Sequence, residues 1–349
     1  MFAIVVLALV FGASGCAPQL RGRITAEQAN DFRSQSLEIM KKCVLSDEPV
    51  LRMQALEAYQ EVAPREGLPY IVDNVDNGYA GVSFAALMAL GTIRDTRFIE
   101  KVRLRAEDSD ANVRIAAIYA LHRMGDQHRT GELGNLLRQH PDPRVRANAA
   151  LAIGRLNEQS STRLLQTAAQ QEKKDFVKMQ IREALSMLGD RHAQEELIFA
   201  AHSAAPDQAT IALMFLANTR ADRAEEVFRY RLHHADQPEI RLEAARGLGR
   251  IGIDAGYDVA ASHLFFNSPR SRKDDPPEQQ IARIRGLAAL GLEAIGNPDA
   301  LGPLKQSFDA EKQWPGVRLA IARAAVGIIS RPPGSSYKAM PPARKPPSL

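Results

Sequence analysis

A branched or small apolar residue, followed by one side chain at a fixed place, recurs almost every 31 or 32 residues along this sequence. The positions are Leu51-Arg52, Val82-Ser83, Val113-Arg114, Val145-Arg146, Val177-Lys178, Ala209-Thr210, Ile240-Arg241, Ile284-Arg285 and Val317-Arg318. Successive steps are 31, 31, 32, 32, 32, 31, 44 and 33 residues, so one unit carries about a dozen extra residues and the others keep the period. Such self-similarity marks a solenoid, in which no unit buries its own apolar face and each must stack on its neighbours. A chain of 349 residues built this way adds core unit by unit and needs no division into globular domains.

The clearest unit runs from Pro141 to Asn157. Asp142 suits a helix N-cap, because its carboxylate accepts from exposed backbone N–H groups, and Pro143 suits the first helical position, where no N–H is required. Val145, Ala149, Ala150, Ile153 and Leu156 fall at helical spacing, and Asn157 tolerates the left-handed backbone that ends a helix. The same stop recurs eleven residues after the fixed side chain as Gly125, Gly189, Gly252 and Gly296. Apolar segments at 130–137, 162–168 and 194–200 supply a second helix, so the unit reads helix, turn, helix. The fold class expected is all-α, an α-solenoid of about nine such units.

The composite pattern Asp-Pro-x-Val-Arg-x-x-Ala-Ala-x-Ala-Leu-Gly-x-Leu resembles the HEAT-like repeat family, in the short form named after phycobilisome lyases. The resemblance covers residues 37–330. It implies a superhelix whose inner helices carry the fixed side chain as a ladder facing acids of neighbouring turns, such as Asp110 and Asp142. That ladder would be Arg52, Arg114, Arg146, Lys178, Arg241, Arg285 and Arg318, interrupted by Ser83 and Thr210, and it is the candidate binding surface. The resemblance further implies a role in protein–protein contact along the inner surface, with a lyase-like enzyme or chaperone as the alternative.

Residues 2–10 are apolar without interruption and lead into Phe11-Gly12-Ala13-Ser14-Gly15-Cys16. A 15-residue helix reaches only about 22 Å, short of a hydrocarbon core of about 30 Å, so residues 1–15 read as a signal peptide. Ala13-Ser14-Gly15-Cys16 resembles the bacterial lipobox, which implies lipid on Cys16 and an envelope lipoprotein; Ala17 in place of Asp favours the outer membrane. Ordinary cleavage near Gly15, giving a soluble secreted chain, is the other reading. Residues 16–36 then form a short linker and first helix, starting at the capping box Thr25-Ala26-Glu27-Gln28. Cys43, in an apolar stripe, reads as a buried structural thiol.

The extra residues of the long unit fall at 267–278, where prolines and charges predict a projecting loop with Arg270, Arg272 and Lys273 as candidate contacts. Beyond residue 330, six prolines and the cations Arg331, Lys338, Arg344 and Lys345 predict a disordered basic tail, 331–349. The whole chain holds 45 basic and 41 acidic residues, and setting that tail aside leaves 41 of each. A neutral body argues against nucleic acid as partner.

Chemistry finds no foothold in the sequence. The family's di-iron enzymes repeat His-Glu dyads, whereas none of the eight His residues here is followed by Glu. Asp126 with His128, and His233-His234, fall short of the three or four convergent donors a first-row metal needs. Gly247-Leu248-Gly249-Arg250-Ile251-Gly252 touches the dinucleotide template only in part and follows no strand. The expectation is a non-enzymatic scaffold without cofactor or small-molecule substrate, with a protein partner and a lipid tie to the membrane.

Overall fold

The computed structural model describes residues 19–219, 221, 223–271 and 274–331. Helical pairs follow one another: α1 (Ala26–Val44) with α2 (Pro49–Val62), α3 (Pro64–Asp73) with α4 (Ala80–Ile93), and α5 (Ile99–Arg105) with α6 (Ala111–Arg123). Then come α7 (Gly131–Gln139) with α8 (Pro143–Leu156), α9 (Thr162–Gln171) with α10 (Asp175–Met187), and α11 (Arg191–Ala201) with α12 (Pro206–Ala217). The last are α13 (Ala224–His234) with α14 (Pro238–Arg250), α15 (Tyr257–His263) with α16 (Pro277–Ile295), and α17 (Leu301–Ala310) with α18 (Pro315–Ile329). Every fixed apolar residue lies in an even-numbered helix and is buried, from 0% exposed at Val177 to 8% at Leu51.

Local chemistry sets the helix ends. Asp110 and Asp142 cap α6 and α8 by accepting backbone N–H groups two or three residues on, and Pro143 occupies the first turn. Gly125, Gly189, Gly252 and Gly296 all take positive φ, and so do Asn157 at 61° and Arg94 at 62° in the equivalent turns. The Thr25 hydroxyl and the Gln28 side chain close the expected capping box, and α1 then runs unbroken to Val44. The boundary expected at residue 36 therefore does not exist: the first helix and the opening of the repeat array are one helix.

In three units close packing between even helices depends on a glycine nine places after the fixed apolar residue. A Cβ on Gly91 would meet Ala120 Cα at 2.8 Å, one on Gly154 would meet Ala184 Cα at 2.7 Å, and one on Gly249 would meet Ile295 N at 2.5 Å. These glycines let α4, α8 and α14 lie backbone to backbone against α6, α10 and α16. Ser186 and Asn218 stand at the same place in α10 and α12. There the apolar core divides, one cluster drawn mainly from α1 to α10 with α15 to α18, the other mainly from α11 to α14.

The array closes on itself. Helix α18 packs against α16 and also against both α1 and α2, so the last pair meets the first. Phe32 of α1 meets Phe308 of α17 edge to face, 5.2 Å between ring centroids. The segment before α1 runs across the final pairs: Gly22 N–H donates to Asp299 O at 2.8 Å and Gly22 O accepts from Gly302 N–H at 2.8 Å. The Leu20 carbonyl accepts from the Tyr257 hydroxyl at 3.0 Å, and Arg21 and Arg23 pair with Asp258 and Asp299. The even helices thus form an inner ring and the odd helices an outer one. Among the described residues no helix is long and apolar enough to cross a membrane.

The insertion departs from expectation. Residues from Pro277 extend α16 at its start, and the described loop residues Arg270 and Asp275 are strapped down rather than projecting. The buried Gln280 amide donates to the carbonyls of Arg270 and Asp275, both at 2.7 Å, and its oxygen accepts from Arg270 N–H at 3.0 Å. Arg283 ties Asp275 to Glu239 on α14. One glutamine satisfies three backbone groups, which is how a polar loop is held against a helix.

Candidate functional site

The fixed-position cations turn out to be internal ties. Five of the seven reach back from an even helix to backbone carbonyls at or just beyond the end of the preceding odd helix. Arg52 Nε donates to Ser46 O at 2.8 Å, Arg114 Nη1 to Asp108 O at 2.7 Å, and Arg146 Nη1 to His140 O at 2.8 Å. Arg241 Nε donates to Leu232 O at 3.0 Å and Arg285 Nε to Phe266 O at 2.9 Å. Carbonyls at a helix C-terminus lack intrahelical partners, so a guanidinium there satisfies them and meets the negative end of the dipole. Lys178 lies 3.8 Å from Asp175, and Arg318 stacks over the Phe308 ring at 4.8 Å.

The pairing of these cations with Asp110 and Asp142 does not occur, because both carboxylates cap helices. Two rungs do bridge neighbouring pairs, each to an acid 26 residues on. Arg146 holds Glu172 in a bidentate grip at 2.7 and 2.9 Å, and Arg285 donates to Glu311 at 3.1 Å. Glu172 and Glu311 close α9 and α17 and also accept the backbone N–H groups that follow. The Arg146 hydrogen bonds, aided by those N–H groups, hold the Glu172 carboxyl down at about 2. Arg270 donates from Nη2 to Asp236 O at 3.1 Å. Cys16, Arg272 and Lys273 lie outside the described residues.

A different set of charges gathers on the ring axis, most of them six or ten places after the fixed apolar residue. Arg323 is 9% exposed and donates from Nε to Glu293 at 2.7 Å and from Nη2 to Glu61 at 2.6 Å, joining the last pair to the first. Burial alone would raise the Glu61 carboxyl, yet Arg323, Arg250, Arg246 and Arg155 outweigh it and hold it below the usual range. Those arginines come from α18, α14 and α8, so side chains from across the ring converge on one point. Burial works against the Arg323 charge, but Glu293 and Glu61 more than restore it.

Glu183 on α10 belongs to the same hub. Its carboxylate accepts from Asn218 Nδ2 at 2.8 Å and from the Gln180 amide, and Arg250 donates to the Asn218 oxygen. Burial pushes the Glu183 carboxyl up, against the pull of those hydrogen bonds and of Arg155 and Arg250. This polar chain spans the place where the apolar core divides. With Glu57 and with Glu243, paired to Arg246, the described axis holds five acids and four arginines, so it is close to neutral. It is a self-matched hub, not a one-sign field.

Other polar groups have structural partners. His122 bonds to Glu158 at 3.0 Å and Thr130 at 2.9 Å, joining two helical pairs. Cys43 is 3% exposed, and burial pushes its thiol up to about 11. Among the described residues no group of three His, Cys, Asp or Glu side chains could hold a metal ion.

Fold and site together define an α-solenoid of helical pairs closed into a ring. The family described as HEAT repeats matches residues 130–209. Among curated proteins, none matches the sequence. A solved structure of the CpcE and CpcF complex of phycocyanin lyase from Nostoc sp. is 16% identical, with 74% of this chain and 97% of that chain covered and a TM-score of 0.43. Human deoxyhypusine hydroxylase in complex with glycerol is 16% identical over 87% of this chain and 98% of its own, with a TM-score of 0.35. YibA from Escherichia coli is 13% identical over 89% and 100%, with a TM-score of 0.34. Likenesses at this level say nothing about what the chain binds.

Proposed function

We propose that the chain is a non-catalytic scaffold, held in the cell envelope by lipid on Cys16, that engages a protein partner through the outside of its ring. The carrying observation is that the buried axial charges are matched by the chain's own ion pairs and hydrogen bonds, with Glu183 and Glu243 each 3% exposed and Arg250 8%. A segment threading the axis would have to break such pairs, and uncoupling a buried pair costs about 3–5 kcal/mol. Five of the seven cations of the inner ladder expected as the binding surface are likewise tied to backbone carbonyls. Outside, the odd helices leave Leu104 77% exposed and Phe199 83% exposed. Large apolar side chains left in water are where protein partners gain most from burial.

Attachment through Cys16 fits the pinned N-terminal segment. The Leu20 carbonyl is fastened to Tyr257, so an acylated Cys16 lies within four residues, about 14 Å of extended chain, of α15. The test is crosslinking in intact envelopes followed by mass spectrometry of the mature N-terminus. Expected are a diacylglyceryl group on Cys16 and crosslinks from the odd helices, lost in Leu104→Asp. An unmodified N-terminus would remove the anchor from the account, and crosslinks concentrated at Gln54 or Glu57 would move the contact to the axis.

A further inference from the structure

Exposed aromatic rings gather between α11 and α13. The Tyr230 ring is 49% exposed, stacks on His234 with centroids 4.5 Å apart and meets His202 of α11 at 5.3 Å. Phe199 lies one helical turn before His202, on the same face. Burial, then the nearby Arg231, pushes the His202 imidazole down, which favours its neutral ring. Glu195 and Glu226 border this surface, and Arg223 and Arg231 stand beside it too. Glu195 stands one turn before Phe199, and Glu226 stands one turn before Tyr230 and within electrostatic reach of His202. Among the described residues Glu195 makes no ion pair, while Glu226 shares an exposed one with Arg223.

We propose that this furrow is the docking site for the chain's own C-terminal segment, residues 332–349. That segment carries the complementary chemistry: Pro341-Pro342-Ala343-Arg344-Lys345-Pro346-Pro347, with Lys338 upstream and no acid. Proline-rich segments lose little entropy on docking, and they recognise grooves lined with aromatic rings; bordering acids pair with their cations and fix direction. Eighteen residues at about 3.1 Å each reach about 56 Å. The furrow lies two helical pairs before α17 and α18, at about 10 Å per pair. The segment therefore reaches it within one chain, and equally from a second copy. The inference rests on the outer face being the contact surface, but not on the lipid anchor or the identity of any partner.

The test places a photoreactive phenylalanine at position 343 of the full chain and maps crosslinks by mass spectrometry, with and without vesicles containing anionic lipid. Crosslinks to residues 191–202 or 224–234 are expected. The double variant Phe199→Ser, Tyr230→Ser should lower them about thirtyfold, as expected for two lost aromatic contacts of about 1 kcal/mol each. Both side chains are exposed, so the ring stays folded, and an unchanged circular dichroism melt checks this. Glu195→Gln should lower them a few-fold, and mixing labelled with unlabelled isotopic copies tells contact within a chain from contact between chains. Crosslinks elsewhere, crosslinks only to lipid, or furrow crosslinks indifferent to the double variant would overturn the proposal. Envelope crosslinks from Leu104 that persist in that case would leave the scaffold reading standing.

Discussion

Arg323→Ala tests ring closure through the pair that makes it. The guanidinium bridges Glu293 on the neighbouring helix and Glu61 on the first pair, and the three side chains are 9%, 6% and 27% exposed. Removing the cation leaves two carboxylates facing each other with little water, a loss of about 3–5 kcal/mol. That converts to a change of roughly 10²-fold to a few times 10³-fold in the balance between closed and open rings. Because contacts in a repeat array are between neighbours, the loss should be local. Hydrogen exchange should therefore rise in α1, α2 and α18 while α6 and α8 keep their protection. The triple variant Glu61→Gln, Glu293→Gln, Arg323→Met, which leaves no charge unpaired, should recover most of the loss. A uniform rise across all helices, or a loss under about 1 kcal/mol by chemical denaturation, would refute the reasoning.

Further outcomes follow from the packing and the rungs. Gly249→Ala should destabilise by about 1–3 kcal/mol in urea melts, since the new methyl meets backbone of α16 that has no free space. Gly131→Ala, with nothing within 4 Å of the added methyl, should be neutral or stabilising by up to about 1 kcal/mol. The Glu172 carboxyl is held at about 2, below its unfolded value near 4.5, so its contribution is complete above pH of about 4.5 and fades as pH falls through about 2. Comparing denaturation of the parent and Glu172→Gln should show a gap of about 1–2 kcal/mol at pH 7, after solvent screening of a partly exposed pair, that closes in that window. Asp142→Ala should cost about 1 kcal/mol of thermal stability through the lost cap of α8.

Much of the fold was legible because it is written in short-range terms. The buried fixed residue, the Asp-Pro start and the Gly or Asn stop are each decided by a few neighbouring residues, and all reappear in place. Arg94 in the left-handed turn was not legible, since only the turn's requirement, not the residue, selects that conformation. Ring closure was not legible either. It needs each pair to rotate by about 40°, a quantity set by small packing differences that accumulate over nine units.

The fixed cations illustrate the same limit. Their recurrence was plain, but whether a guanidinium meets a neighbour's acid or its own repeat's carbonyl depends on where the preceding helix ends. The axial charges had a readable signal that periodicity alone did not weigh. Glu57, Glu61, Arg155, Glu183, Arg246, Arg250 and Arg323 all stand six or ten residues after the fixed residue, on one helical stripe, and carry both signs. The strapped insertion depended on a single side chain, Gln280, whose partners lie in the loop itself.

The most direct test of the closed ring is a distance between spin labels at Ser34 on α1 and Gln306 on α17, both exposed. Cys43 is buried with a thiol pushed up to about 11, so it does not compete for label in the folded chain. A closed ring places these helices side by side and predicts one narrow distribution within about 25 Å, roughly two helix diameters. An open stack of nine pairs at about 10 Å per pair would separate them by about 80 Å. A distribution centred there would contradict the account.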